Sequence, residues 1–284
     1  MENNNRFIPK FINASDYFGQ QLINEMTDRL RHNKNIMTLF RGQTGEGKSL
    51  SALTFFKVLS YEINRQLGYN ETFTIDNVFF EAKEVIKKIQ QFAHDYKAGI
   101  YHRGYIFFVD DAGFALNNRE WYEDYVSIFG MTSQGYRYLN LVAGFSVPFE
   151  DWIELRTRSL IHYKFSHSGN QGNFKIYRYM ESEEMSNRYK EFPIYDEKQL
   201  TEIQFGLPDN DFIEQYDAKK SDFMAKYLDS RLDEIVKKSE FKGYNYHCIV
   251  CGNDYFGKTP IRSTCTKCGM KNTRKFTRAS GDDS

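Results

Sequence analysis

Gly42-Gln43-Thr44-Gly45-Glu46-Gly47-Lys48-Ser49 follows the pattern G-x-x-x-x-G-K-S. Glycines let a backbone curl until successive N–H groups point inward at an anion. The lysine of such a run adds a point charge at the β- and γ-phosphates of a nucleotide, and the serine offers Mg²⁺ a hydroxyl. Gly42, Gln43, Thr44, Gly45, Glu46, Gly47, Lys48, Ser49 and Leu50 are therefore the expected cradle for ATP. The pattern works only as a strand–loop–helix unit, and both flanks fit. Ile36 to Phe40 reads as an apolar strand, and Leu50 to Leu59 as a helix whose N-terminal dipole would favour phosphate.

A P-loop also needs a carboxylate on a neighbouring strand to hold Mg²⁺ through water, and often a second one to polarise the attacking water. Phe107-Phe108-Val109-Asp110-Asp111 is an apolar strand that ends in two acids. Asp110 is the expected magnesium carboxylate and Asp111 the candidate general base; the plain alternative is an acidic turn. Phosphoryl transfer further calls for a polar sensor and a positive charge on the γ-phosphate. Ser146, after the strand-like Leu139–Phe145, suits the first, and Arg137, Arg156 and Arg158 are candidates for the second, Arg158 foremost. Each arginine also reads as an ordinary solvated side chain. Gln134 could meet either the nucleotide or a neighbouring subunit.

The second constellation is Cys248-Ile249-Val250-Cys251, then thirteen residues, then Cys265-Thr266-Lys267-Cys268. Two C-x₂-C knuckles place four thiolates around one tetrahedral Zn²⁺. Gly252 and Gly269 each follow the second cysteine of a pair, where a knuckle must turn tightly. The closed shell points to a structural ion, and leaves His247 outside it. Disulfides are the alternative, but cysteine is confined to this segment, which fits a reducing, cytoplasmic setting. A segment this small would draw much of its folding energy from the metal.

These sites need elements to hold them. The whole chain has 284 residues and equal numbers of acidic and basic side chains, 38 of each, so net charge excludes no partner. From 241 to 279, however, eight Lys/Arg face only Asp254. Interleaved with Tyr244, Tyr246, Tyr255, Phe256 and Phe276, they invite a nucleic-acid reading, with Lys271, Arg274, Lys275 and Arg278 as the phosphate contacts. A protein-docking ribbon with solubilising lysines is the alternative. No apolar run approaches the ~18–20 residues of a membrane span, and the N-terminus lacks a signal layout.

Helical spacing of Phe18, Leu22, Ile23, Met26 and Leu30 predicts a first helix capped by Ser15. Short extended pieces at 72–75 and 77–80, a helix over 82–96 and strands at 105–109 and 139–145 follow. Two further runs, 159–165 and 174–180, flank a Gly/Asn-rich turn and read as a hairpin at the end of the sheet. Strands alternating with helices predict an α/β fold with a mainly parallel sheet flanked by helices. The expected division is a lead-in (1–34), an ATPase core (35–207), a helical connector (208–239), a zinc ribbon (240–279) and a disordered tail (280–284).

The P-loop, the Val109-Asp110-Asp111-Ala112-Gly113 strand end and the Gln134–Arg137 segment with its strand and later arginines resemble the additional-strand division of P-loop NTPases. The likeness is nearest to its FtsK–HerA-like branch, which includes small viral and plasmid ATPases and zonular-occludens-toxin-like assembly ATPases. It covers roughly Asn35 to Phe165. It implies a RecA-like core, ATP hydrolysis at the subunit boundaries of a ring, and work on DNA or on virion assembly. Asp110-Asp111 stands where that branch usually has Asp-Glu, and Ser146 where it often has glutamine. Replicative helicase loaders share the core pattern. The expectation is an ATPase acting on DNA and self-associating, or an assembly or loading factor that hands a protein partner on without translocating.

Overall fold

A computed structural model describes residues 11–12, 15–111, 139–150, 160–181, 189–196, 199–200, 202–239, 244–248, 250–257, 263–265, 267–272 and 276–278. Gln134, Arg137, Arg156, Arg158, Arg274 and Lys275 lie outside them, as does the tail from 280. The chain divides into two compact units, residues 1–220 and 221–284.

The first unit contains β1 (Phe11–Ile12), α1 (Ser15–Arg31), β2 (Ile36–Arg41), α2 (Lys48–Leu67), β3 (Val78–Phe79), α3 (Ala82–Lys97), β4 (Ile106–Val109) and β5 (Val142–Val147). Then come β6 (Tyr163–His167), β7 (Asn173–Glu181), β8 (Tyr189–Pro193), β9 (Tyr195–Asp196), β10 (Gln199–Leu200), β11 (Glu202–Phe205) and the start of α4 (Asn210–Ser239). The sheet runs β1-β11-β7-β6-β2-β5-β4-β3, with β8 also on β7. Its working half, β6-β2-β5-β4-β3, is parallel throughout. The predicted hairpin is present as β6–β7, and β8, β11 and β1 extend it with antiparallel pairings that sequence periodicity did not show. This is an α/β, RecA-like P-loop core, in which β5 stands between the P-loop strand β2 and the acid-bearing strand β4.

The parallel strands are apolar on both sides because both faces are covered. Met37, Leu39, Phe107, Val109, Ala143, Phe145 and Val147 alternate onto one face, where Val85, Ile89 and Phe92 of α3 close over them. Phe40, Phe55, Phe56, Phe108 and Phe165 are all under 2% exposed on the other face, with α1 packed against α2. Phe40 stacks on Phe165 with centroids 4.4 Å apart and meets Phe55 and Phe56 at 5.7 and 5.9 Å. The two predicted extended pieces differ: only Val78–Phe79 is a strand, and Ile75–Asn77 is a 3-10 turn, because Thr74 and Asn77 cap it reciprocally and so draw the backbone out of a strand.

The second unit contains β12 (Tyr244–His247), β13 (Asp254–Gly257), β14 (Ser263–Thr264), β15 (Lys271–Asn272) and β16 (Phe276–Arg278). β13-β12-β16 form one antiparallel sheet and β14-β15 a ribbon. No helix among the described residues is long and apolar enough to cross a membrane.

Candidate functional site

Strand alternation decides where the first acid goes. On β4, Phe108 packs on Phe56 of α2, so Asp110, two residues on, emerges on the same side. The β4–β5 register pairs Phe108 with Gly144, which sets Ser146 beside Asp110. From the other direction, Gly47 (φ 83°) turns the chain into α2, so that Lys48 and Ser49 open the helix.

These elements converge on one carboxylate, only 1% exposed. Oδ1 of Asp110 accepts from Ser49 Oγ at 2.7 Å and from Ser146 Oγ at 2.6 Å. Ser146 Oγ in turn accepts the Asp111 N–H at 2.8 Å. Asp111 sits at φ 45°, a left-handed conformation that aspartate tolerates and that is often stored at working sites. The sequence assigned Ser146 only a sensor's place; here it ties both acids to β5.

Two partners escaped sequence reading. Tyr216 Oη of α4 donates to Asp110 Oδ2 at 2.5 Å. Lys220 Nζ donates to Asp110 Oδ2 at 3.1 Å, to Asp111 Oδ2 at 2.6 Å and to Tyr216 Oη at 3.0 Å. Their i,i+4 spacing aims both at one point, but α4 reads as an amphipathic helix, and nothing local says that its face meets acids about 110 residues away. Burial alone would raise the Asp110 carboxyl; the Lys220 ammonium and the hydroxyls of Ser146, Tyr216 and Ser49 outweigh it and hold the group below the usual carboxylate range. For Lys48, burial pushes the ammonium down against Asp111, Asp110 and Glu46.

In the P-loop, Lys48 Nζ donates to Gln43 O at 2.9 Å. Glu46 folds back so that its carboxylate takes the Gln43 N–H, and a Cβ on Gly42 would stand 2.6 Å from Glu46 Oε2. His167 Nδ1, at the end of β6, lies 3.2 Å from the same oxygen. The turn after β6 borders the loop: a Cβ on Gly47 would meet Gln171 Cγ at 3.3 Å. The oxygens of Ser49 and Asp110 are the hard ligands that Mg²⁺ takes, and a buried carboxylate beside the P-loop hydroxyl fits that ion.

In the second unit, each cysteine pair sits in a turn between two strands, and the two turns are near copies. Cys248 N–H donates to Asn253 O and Gly252 N–H to Cys248 O, at 2.9 and 2.8 Å. Cys265 N–H donates to Met270 O and Gly269 N–H to Cys265 O, at 2.8 and 2.9 Å. Gly252 and Gly269 take φ of 69° and 72°, which only a residue without Cβ adopts freely. The four Sγ atoms lie within 4.8 Å of one another. Cys248–Cys268 and Cys251–Cys265 are separated by 3.6 and 3.7 Å, close to the ~3.8 Å edge of a tetrahedron with metal–sulfur bonds of ~2.3 Å. The backbone N–H groups of Cys268 and Lys267 hold the Cys265 thiol down, to about 6. His247 pairs with Asp254 at 2.6 Å. Tyr255, 8% exposed, packs with Cys248 and Cys265, so it serves the core of this unit rather than an exposed stacking surface. Lys267 and Lys271 are exposed.

No protein-family model matches the chain, and no curated protein does. Among solved structures, 19 chains match. One is the Aeropyrum pernix ORC2 protein in its ADPNP–ADP complexes, at TM-score 0.40 and 11% identity over 58% of this chain and 50% of that one. Another belongs to the Escherichia coli MS115-1 HORMA:CdnC:Trip13 complex, at TM-score 0.38 and 11% identity over 55% of this chain and 62% of that one. The chain thus spans less than two thirds of either, and at these scores the likeness bears on neither activity nor partners.

Proposed function

We propose that the chain is a P-loop ATPase that acts on DNA, with a C-terminal zinc ribbon that binds nucleic acid or a partner. One observation carries the nucleotide reading: Ser49 of the P-loop helix and Asp110 of a strand two positions across the sheet meet in a 2.7 Å hydrogen bond. Nothing in ordinary packing requires a buried carboxylate at that spot, and one that needs several donors to be buried there marks a candidate working site. The strand interposed between β2 and β4 agrees with the additional-strand division named on sequence grounds.

The roles follow from position. The N–H groups from Gly42 to Leu50 bind phosphate oxygens, once Glu46 swings out of the cradle. Lys48 exchanges the Gln43 carbonyl for the β- and γ-phosphates. Ser49 and Asp110 would hold Mg²⁺, the serine as a hydroxyl ligand and Asp110 through water. The ion, when bound, neutralises charge building on the phosphates. Asp111, next along the strand end, orients and deprotonates the attacking water. Cys248, Cys251, Cys265 and Cys268 hold Zn²⁺, and Lys271, Arg274, Lys275 and Arg278 supply cations for phosphates. Arg158 remains the sequence candidate for the γ-phosphate charge, within a self-associating ring.

Nucleotide binding and ATPase rate, each with and without single- and double-stranded DNA, test this. Lys48→Ala should weaken ATP binding by about 10- to 100-fold, the worth of a charge-assisted contact. DNA should stimulate hydrolysis, and rising salt should remove the stimulation. Wild-type affinity in the variant would end the nucleotide reading. A rate indifferent to DNA but altered by a protein partner would replace the DNA reading with that of an assembly or loading factor.

A further inference from the structure

A carboxylate has roughly four acceptor sites, two on each oxygen, and Asp110 has four donors. Ser49 and Ser146 fill Oδ1 at 2.7 and 2.6 Å. Tyr216 and Lys220 fill Oδ2 at 2.5 and 3.1 Å. Asp110 can therefore take a metal-bound water only by giving up one of the four. Three are neutral hydroxyls; the fourth is an ammonium.

We propose that Lys220 guards the metal half of the site: its ammonium holds Asp110 and Asp111 together, and Asp110 accepts a magnesium-bound water only as Lys220 lets go. The inference rests on the nucleotide reading above and adds a residue to it. Electrostatics select Lys220 as the donor that leaves, since a divalent cation a few ångströms away repels an ammonium and attracts hydroxyl oxygens. Geometry agrees. The Lys220–Asp110 contact is the longest of the four, and on leaving the ammonium keeps Asp111 at 2.6 Å. Its side chain is 29% exposed and so has a way out, whereas Asp110 has none at 0%. Ser49 and Ser146, on short side chains fixed by α2 and β5, have no such freedom. Lys220 is thus a positioning residue that sets metal affinity, with the two acids kept paired until the ion arrives.

The test is a Mg²⁺ titration of the full chain with a fluorescent, non-hydrolysable ATP analogue, read as binding and not as turnover. Lys220→Met should lower the half-saturating Mg²⁺ concentration about tenfold, a 1.4 kcal/mol change. Lys220→Arg, which keeps the charge, should stay within about twofold of wild type. Should Lys220→Met fail to fold, Lys220→Gln carries the same expectation, because it keeps an N–H donor without the charge. An unchanged or higher half-saturating concentration in the neutral variant overturns the proposal. Analogue binding at saturating Mg²⁺ separates the two readings: its absence in wild-type protein would count against the P-loop assignment, not against Lys220.

Discussion

Replacing Gly144 with alanine should displace the helix that carries Lys48 and Ser49. A Cβ at this position would stand 2.0 Å from Phe56 Cζ and 2.6 Å from Cε2. Carbon atoms settle at ~3.5–4.0 Å, so the ring or the helix must retreat by about 1.5 Å. The ring has little room, since Phe40, Phe55, Phe73 and Phe108 surround it at centroid distances of 5.9, 5.3, 5.6 and 5.4 Å. Overpacking of this kind costs about 1–3 kcal/mol, and a fully buried ring boxed on four sides belongs at the upper end. For a unit of this size that lowers Tm by roughly 6–12 °C. Because α2 must move, Ser49 should also draw away from Asp110, and nucleotide affinity should fall alongside stability. Phe56→Leu alone should cost about 1–2 kcal/mol through the void it leaves. The double variant should be more stable than the sum of the two by about 2 kcal/mol, the coupling expected of residues in direct contact. Urea unfolding of all four proteins measures this cycle. Strict additivity, or a Gly144→Ala variant as stable as wild type, would refute the argument that this glycine exists to let α2 approach the sheet.

The other expectations concern the metal and acid. The purified chain should carry one zinc, and strong chelator or Cys265→Ser should unfold the segment 244–278 while the melting of the first unit stays put; a chelated protein with an unaltered second unit would exclude a structural metal. His162 gives a pH dependence. Its Nδ1 accepts the Met37 N–H at 3.0 Å, and burial, aided by Arg29, lowers its pKa from 6.5 to about 3. A group so depressed takes up its proton in the unfolded chain first, so its contribution is intact above pH 6.5 and is lost as pH falls toward 3. Between pH 7.5 and 5 it should cost about 2 kcal/mol. His162→Asn, whose Oδ1 can accept the same N–H, should flatten that part of the urea-midpoint profile; an unchanged slope would dismiss the assignment.

Chemistry that depends on spacing was legible before any fold was known. The P-loop must be contiguous, knuckle cysteines must sit three apart, and an apolar run ending in Asp110 needs only strand geometry to reach the sheet's edge. The parallel half of the sheet followed for the same reason, its strands being short apolar runs between helical ones. What stayed hidden depends on tertiary meeting. Tyr216 and Lys220 occupy ordinary positions of a charged helix, and only the path of α4 past β4 makes them partners of Asp110. Strands β8, β11 and β1 are short and mixed in pattern; β7 offers an edge to the first two, and β11 offers one to β1. Glu46 is expected only as part of the phosphate cradle, yet its side chain reaches the loop's own amide.

That reach has a kinetic and selective side. A cradle that holds its own tethered carboxylate faces it at an effective concentration of the order of millimolar or more. Stray inorganic anions that make only the same few contacts would displace it poorly at ordinary levels. A triphosphate bound as proposed would do so, because it would engage Lys48 and several further amides at once. Glu46, backed by His167, would then screen the loop against free phosphate and sulfate, and association of the true ligand would be slower than diffusion by the time the side chain takes to swing clear.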